Sequence, residues 1–133
     1  PIIDRIDLWV EVGAVKISEL SKGERKEGES LKARTHIQST REIQKKRFTH
    51  SKRNLRTNGE MNTRDLELFA HISSEARGIL DQAAERLGLS GRSYHRVIKI
   101  ARTIADLETS EEIKKEHLLE ALSYRPKLKN SLI

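Results

Sequence analysis

The sequence predicts a mainly α-helical fold, a small helical bundle with one short β-strand in front of it. Three segments after residue 73 repeat apolar residues at helical spacing and begin or end at recognisable caps. Residues 6–12, in contrast, alternate apolar and polar side chains in the manner of a half-buried strand. The length of 133 residues suits one domain with a modest core.

The predicted strand is "IDLWVEV", in which Ile6, Leu8, Val10 and Val12 share one face. The run "AVKI" after Gly13 is a candidate for its hairpin partner. A strand without a sheet leaves its backbone hydrogen bonds unsatisfied. We therefore expect residues 1–20 to be the end of a sheet-containing core, whose other strands lie upstream in a longer protein.

The rest of the chain divides by composition. Residues 21–30, "SKGERKEGES", form a predicted polar linker with two glycines. Residues 31–126 form the predicted helical domain, and residues 127–133 a short tail. The chain is therefore expected to carry one helical domain behind the end of another.

The first half of the helical domain is weakly patterned. A helix is predicted over residues 31–48, with a thin apolar stripe, and residues 49–62 lack periodicity and contain the turn signal "TNGEMN". A short helix capped by Thr63 follows and is expected to bury Leu66 and Phe69.

The second half gives clearer signals. One helix starts at Ser73 or Ser74 and stops at Gly88, where a left-handed residue is favoured. Ser90 caps the next helix, which runs to Leu107. A final helix is predicted to begin at the capping box "TSEE" of residues 109–112 and to end before Pro126.

The helix after Ser90 carries its cations at an unfavourable end. Arg92 and Arg96 fall near its start and are predicted to share a polar face with Lys99 and Arg102. A cation at a helix start costs about 0.3–1 kcal/mol. One interpretation is a solvated polar face; the other is that an anion binds there, since backbone N–H groups and an arginine fork suit a phosphate.

Two kinds of anion fit this placement. The stretch "AAERLGLSGRSYHRVIK" has the spacing of a helix-turn-helix, which would direct Arg92, Ser93, His95 and Arg96 at the major groove of DNA. A stand-alone DNA-binding domain is therefore the alternative function. The second anion is the γ-phosphate of a nucleotide.

Several ordered motifs point to the nucleotide. The segments "PIIDRIDLWVEV", "GES", "LSGRSYHRVIKIARTIADL" and "HLLEALSYRP" resemble the C-terminal part of the magnesium-chelatase-like AAA+ ATPases of the ComM (YifB) competence group. The resemblance covers about residues 1–126 and implies that the bundle is the AAA+ C-terminal lid. It implies that Arg5 is the arginine finger that reaches a neighbouring subunit's ATP, and that Arg92 is the sensor-2 residue on the γ-phosphate. The sequence departs from the family in having "EVG" where Pro usually follows the strand.

The resemblance also implies cofactors and partners for the longer protein. These are ATP with Mg²⁺, the upstream AAA+ core of the same chain, and a homo-oligomeric ring, expected to be a hexamer. The sequence contains no GxxxxGK[ST] phosphate loop. We therefore expect this chain alone to be no enzyme and to bind no nucleotide tightly.

A basic run lies between residues 32 and 56. The residues chosen as candidate nucleic-acid contacts are Lys45, Lys46, Arg47, Lys52 and Arg53. Such a run suits a phosphate backbone and a helicase-like or DNA-remodelling motor. A solvated segment is an equal alternative, because no aromatic ladder is interleaved to stack bases.

The composition excludes several classes of site. The net charge of +6 favours an acidic partner, although solubility alone would also explain it. The absence of cysteine excludes disulfides and thiolate metal sites and suits a reducing cytoplasm. No apolar run reaches the ~18 residues of a membrane span. The five histidines lack metal-ligand spacing, so no metal site is expected.

Overall fold

The computed structural model describes residues 2–23 and 28–126 and confirms the mainly α-helical fold class. Single 3₁₀ turns lie at Ile3–Arg5, Phe48–His50 and Asn58–Glu60. The α-helices of the described residues are α1 (Ile17–Ser21), α2 (Glu29–Arg47), α3 (Thr63–Phe69), α4 (Ser74–Leu87), α5 (Gly91–Leu107) and α6 (Lys115–Ser123).

The predicted strand over residues 6–12 is wrong for this chain, as is its return partner "AVKI". The structure gives residues 6–16 no regular secondary structure, and Ile17 begins the short helix α1. The physical reason is that no described segment offers these residues a strand to pair with. The Trp9 N–H instead donates to the carbonyl of Tyr124 at 2.9 Å. Within the described ranges, sheet-like pairing is confined to one isolated parallel bridge between Ile72 and Ile113.

Helix α2 forms despite its thin apolar stripe, as predicted. It begins at Glu29, directly after Gly28, whose φ of 88° is left-handed. Its buried residues are Thr40 and Gln44, both polar. The centre of the predicted linker (residues 24–27) and the predicted tail (residues 127–133) lie outside the described residues.

Helix α3 is confirmed, but its cap is Asn62 and not Thr63. The Asn62 Oδ1 atom accepts from the Asp65 N–H at 2.9 Å, and Asp65 Oδ2 accepts from the Asn62 N–H at 2.8 Å. This reciprocal pair satisfies two backbone donors at the helix start. Leu66 is buried as expected, and Phe69 is partly buried against the core.

The corner between α4 and α5 forms as its caps predict. Ser73 Oγ accepts from the Ala76 N–H at 3.3 Å, and Gly88 ends α4 with a φ of 58°. Ser90 Oγ then accepts from the Ser93 N–H at 3.1 Å. Local sequence therefore fixes where both helices begin and where the first one ends.

Helix α5 is the centre of the core. It packs against α2, α3 and α6, while α4 contacts α6. Among the described residues, the apolar ones with no exposed surface are Ala76, Leu80, Val97, Ala101, Ala105, Ile113, Leu118 and Ala121.

The predicted start of the last helix is wrong, since α6 begins at Lys115 and not at the "TSEE" box. Ile113 instead extends alongside Ile72: its N–H donates to the His71 carbonyl at 2.7 Å, and its carbonyl accepts from the Ser73 N–H at 3.0 Å. Thr109 has a positive φ of 56°, which a helical start does not allow.

The prediction that Arg102 lies on a polar face is also wrong, because its side chain is completely buried. Its Nε donates to Asp106 Oδ1 at 3.1 Å, and one Nη donates to the Glu111 carbonyl at 2.7 Å. Asp106, also completely buried, accepts further bonds from Arg47 and from Asn58 at 2.8 Å. These four side chains (Arg47, Asn58, Arg102 and Asp106) form a buried polar network that joins α2, α5 and the loop before α6.

Candidate functional site

Arg92 lies in the first turn of α5, at its second residue, and its side chain is exposed. No hydrogen bond or ion pair joins its guanidinium to another residue in ranges 2–23 and 28–126. The N-terminal turn of an α-helix presents unpaired backbone N–H groups. The start of α5 therefore combines N–H donors with an uncommitted arginine, which suits a phosphate oxygen.

A carboxylate from the beginning of the chain reaches the same helix start. Asp4 Oδ1 accepts from Ser93 Oγ at 2.8 Å, and Asp4 Oδ2 accepts from Ser90 Oγ at 3.3 Å. Arg125 donates to Ser93 Oγ at 2.9 Å and lies 3.6 Å from Asp4 Oδ1. We call Asp4, Ser90, Ser93 and Arg125 the Asp4 cluster.

The Asp4 cluster favours the charged form of its carboxylate. The hydrogen bond from Ser93 holds the pKa of the Asp4 carboxyl below its usual value, with Ser90 and the Arg125 charge adding to this effect against partial burial. A carboxylate at a helix start is favourable for the helix dipole. Asp4 therefore offsets part of the cost of placing Arg92 and Arg96 in the first turns of α5.

Arg5 follows Asp4 directly, and its side chain is exposed. Its backbone carbonyl accepts from Arg96 Nη1 at 2.9 Å, and the same Nη1 forms an ion pair with Asp7. We call residues 4–7 the DRID segment. Hydrogen bonds therefore fix this segment to α5 on both sides of Arg5, while the Arg5 guanidinium stays accessible.

The sequence predicted Arg5 and Arg92 as separate site residues, and the structure places both beside the start of α5. The resemblance gave no role to Asp4 or Arg125, which join the two regions. The available signals were the position of Asp4 next to Arg5 and the arginine of "SYRP" at the end of α6. Neither signal identifies a partner across 80 or more residues of sequence.

The helix-turn-helix interpretation requires an open recognition face. Ser93 is 1% exposed, and the Arg96 side chain is paired with Asp7. The DRID segment therefore covers part of the face that would enter a major groove. This arrangement favours an anion at Arg92 over sequence readout by α5.

The structure divides the basic candidates into two groups. Arg47 pairs with buried Asp106, and Arg53 pairs with Asp65 at the start of α3. Lys45, Lys46 and Lys52 are exposed and make no ion pair with any described residue. DNA contact stays a prediction, and its uncommitted cations are these three lysines.

Metal clusters and membrane-spanning helices are absent from the described parts of the chain. In those parts, no group of three or more His, Cys, Asp or Glu side chains is placed to hold a metal ion. Nor does any helix there have the length and apolarity needed to cross a bilayer. His117 is 2% exposed, and its Nε2 lies 2.9 Å from Glu108 Oε2.

The chain matches one protein-family model and three related bacterial proteins. The family model described as magnesium chelatase, subunit ChlI C-terminal, matches residues 27–125. Competence protein ComM of Haemophilus influenzae is 36% identical over 126 residues, which cover 94% of this chain and 23% of that protein. The YifB proteins of Escherichia coli and Salmonella typhimurium are 34% and 33% identical over 125 residues, which cover 94% of this chain and 24% of each relative.

These matches confirm the resemblance that the sequence motifs indicate. The chain spans about a quarter of the length of the curated relatives that it matches. The matched family region begins at residue 27 and therefore includes α2 to α6. The relatives extend the similarity to nearly the whole chain.

Proposed function

The chain belongs to the magnesium chelatase ChlI C-terminal family, and from this membership we propose that it is the C-terminal helical lid of a ComM-like AAA+ ATPase. The longer protein hydrolyses ATP with Mg²⁺ and assembles as a ring, while this chain alone is no enzyme. The absence of a phosphate loop from the sequence supports this division. In this proposal the upstream core binds the nucleotide and the lid closes over it.

The structural observation that supports the proposal best is that the Arg92 guanidinium is available to bind a ligand. Its side chain is exposed in the first turn of α5 and joined to no other described residue. Guanidinium and N–H donors fit a phosphate group, whereas Mg²⁺ requires oxygen ligands. We assign Arg92 the sensor-2 role, in which it would contact the γ-phosphate of nucleotide bound to its own subunit.

Arg5 has the second proposed role. Its guanidinium is exposed, and its backbone is fixed to α5 through Arg96. A fixed backbone with an accessible cation is what a group acting across a subunit boundary requires. We assign Arg5 as the arginine finger that reaches the ATP of a neighbouring subunit, where it would stabilise charge in the transition state.

Arg92→Ala tests the sensor role in two settings. In the isolated chain the free energy of unfolding should stay unchanged or rise slightly, because a cation is removed from a helix start. In the full-length protein, ATP turnover should fall about ten- to a hundredfold, since a charge-assisted bond contributes about 1.5–3 kcal/mol. Urea unfolding and steady-state ATPase assays measure the two effects.

The matched control is Arg86→Ala, which removes an exposed arginine from α4. It should leave ATP turnover at the wild-type level. If Arg92→Ala unfolds the isolated chain, or leaves turnover of the full-length protein unchanged, the sensor assignment is wrong.

We propose DNA contact as a second function, supported by the exposure of Lys45, Lys46 and Lys52 near one another in sequence. Replacing all three by Ala should weaken binding of mixed-sequence duplex DNA. The slope of log K against log salt should become shallower by about 0.9 for each phosphate that the variant no longer neutralises. Fluorescence anisotropy at several salt concentrations measures this slope.

The control for the DNA experiment removes an equal number of exposed lysines elsewhere, namely Lys16, Lys22 and Lys114. The control variant should keep a slope closer to that of the wild-type chain than the variant lacking Lys45, Lys46 and Lys52 does. Equal slopes for the two variants would show that net charge alone attracts DNA. No binding by the wild-type chain at low salt would remove DNA from its function.

A further inference from the structure

The DRID segment is attached to the helical domain at several points. Asp4 is bound at the start of α5, and Asp7 pairs with Arg96 one turn further along that helix. Beyond the segment, the Trp9 N–H donates to the carbonyl of Tyr124 after α6. The backbone on both sides of Arg5 therefore follows the position of α5 and α6.

The side chains that hold Asp4 in place are largely buried. Its partner Ser93 is 1% exposed, and the Arg125 side chain is 8% exposed. Among the described residues, the buried Arg125 Nη1 has no hydrogen-bond partner, and the contacts of this guanidinium with Ser93 and Asp4 are made by Nη2. A buried arginine that is incompletely satisfied is costly, and here its charge lies beside the one carboxylate that the cluster contains.

We propose that Asp4 is a positioning residue that fixes the arginine finger Arg5 to the lid of its own subunit. This inference rests on the proposed function and adds that the nucleotide state of one subunit controls hydrolysis in its neighbour. A lid that shifts with its own nucleotide carries Arg5 with it. Hydrolysis in the neighbouring subunit then depends on the state of this lid.

A competing role for Asp4 lies within its own subunit. Asp4 contacts Ser90 and Ser93, which flank Arg92 in the first turn of α5. If Asp4 served only to orient that turn, its loss would damage the pocket of the same subunit. The two roles therefore differ in which subunit's ATP site fails when Asp4 is replaced.

Mixing of full-length variants separates the two roles. Asp4→Ala alone should lower kcat for ATP roughly ten- to a hundredfold with KM unchanged, since a displacement of about 1 Å at a catalytic group costs about 10²-fold. Mixed with Arg92→Ala subunits, which supply intact fingers, Asp4→Ala subunits should regain activity well above the sum of the separate variants. Mixed with Arg5→Ala subunits, they should regain none.

The Arg5→Ala and Arg92→Ala mixture serves as the reference. If this reference regains no activity, the proposed function fails. If the reference regains activity but the Asp4→Ala and Arg92→Ala mixture does not, the proposed function stands and the positioning role is wrong. A raised KM for ATP in Asp4→Ala would likewise overturn the inference, because it places the defect in the subunit's own pocket.

Two further variants keep the test independent of folding. Asp4→Asn retains one of the two oxygens that accept from Ser93 and Ser90 but loses the charge facing Arg125, and should give a smaller loss of kcat in the same direction. Glu11→Gln removes an exposed carboxylate further along the same stretch, one that pairs with no described residue. This variant should leave kcat unchanged. Asp4→Asn should also complement Arg92→Ala on mixing, and failure to do so while retaining the kcat defect would contradict the proposal.

Discussion

Arg5→Ala is expected to reduce ATP turnover by the full-length protein by about 10³–10⁵-fold, the range that arginine fingers supply in comparable phosphoryl-transfer systems. The reason is that its guanidinium would act where charge develops in the transition state. Binding of ATP to the subunit's own pocket should be unaffected, because Arg5 is proposed to act across the subunit boundary. Steady-state turnover and KM for ATP, measured on the assembled protein, test both statements.

Arg34→Ala is the matched control, since it removes another exposed arginine, from α2, that makes no described ion pair. Turnover of this control should equal that of wild type. Arg5→Ala turnover within tenfold of wild type would be incompatible with a finger role.

Asp106→Ala should destabilise the isolated chain by about 3–5 kcal/mol, the cost of breaking a buried ion pair by removing one partner. Asp106 has no exposed surface and accepts bonds from Arg47, Asn58 and Arg102. Its removal leaves the buried Arg102 charge without a counter-ion. Burial lowers the pKa of Arg102, and the neighbouring Asp106 carboxylate opposes this effect. The charged form of Arg102 therefore depends on that carboxylate. Urea unfolding followed by circular dichroism measures the loss.

The control for the network is Asp81→Ala on α4. Asp81 is exposed and accepts a hydrogen bond from the Tyr94 hydroxyl at 3.1 Å. Its loss should cost no more than about 1 kcal/mol, the contribution of a typical hydrogen bond. Comparable stability losses for the two variants would show that the buried network does not hold the helices together.

Sequence alone predicted the elements whose signals are local. The ends of α4 and the start of α5 follow from Ser73, Gly88 and Ser90, each acting within a few residues of its own position. The weak pattern of the long helix α2 still predicts a start within two residues of the observed one. These features need no information about the rest of the fold.

The errors arose where distant residues decide the local structure. Residues 6–12 alternate as a strand does, yet strand formation requires a partner, and the described chain supplies none. The "TSEE" box has good capping chemistry, but the carbonyls of Ser110 and Glu111 accept hydrogen bonds from buried Arg102. Ile113 is extended because it pairs with the segment before α4.

The roles assigned to Arg5 and Arg92 stay predictions. The resemblance pointed to Arg5 and Arg92 as separate residues, and the cations at the start of the helix gave a bound anion as one of two interpretations. The structure shows that Asp4 contributes negative charge there, through contacts that span 89 residues of sequence to Ser93. Such a contact has no periodic or local signature, so the sequence could not predict it.

ATP turnover by an equimolar mixture of Arg5→Ala and Arg92→Ala full-length subunits tests directly whether the two arginines act on one shared ATP site. In a head-to-tail ring each ATP site combines one subunit's pocket with its neighbour's finger. Random mixing then restores an intact pair at about one quarter of the interfaces, so turnover should approach about one quarter of wild type. A mixture no more active than the sum of its two inactive components would contradict the assignment of Arg5 and Arg92 to opposite sides of a shared ATP site.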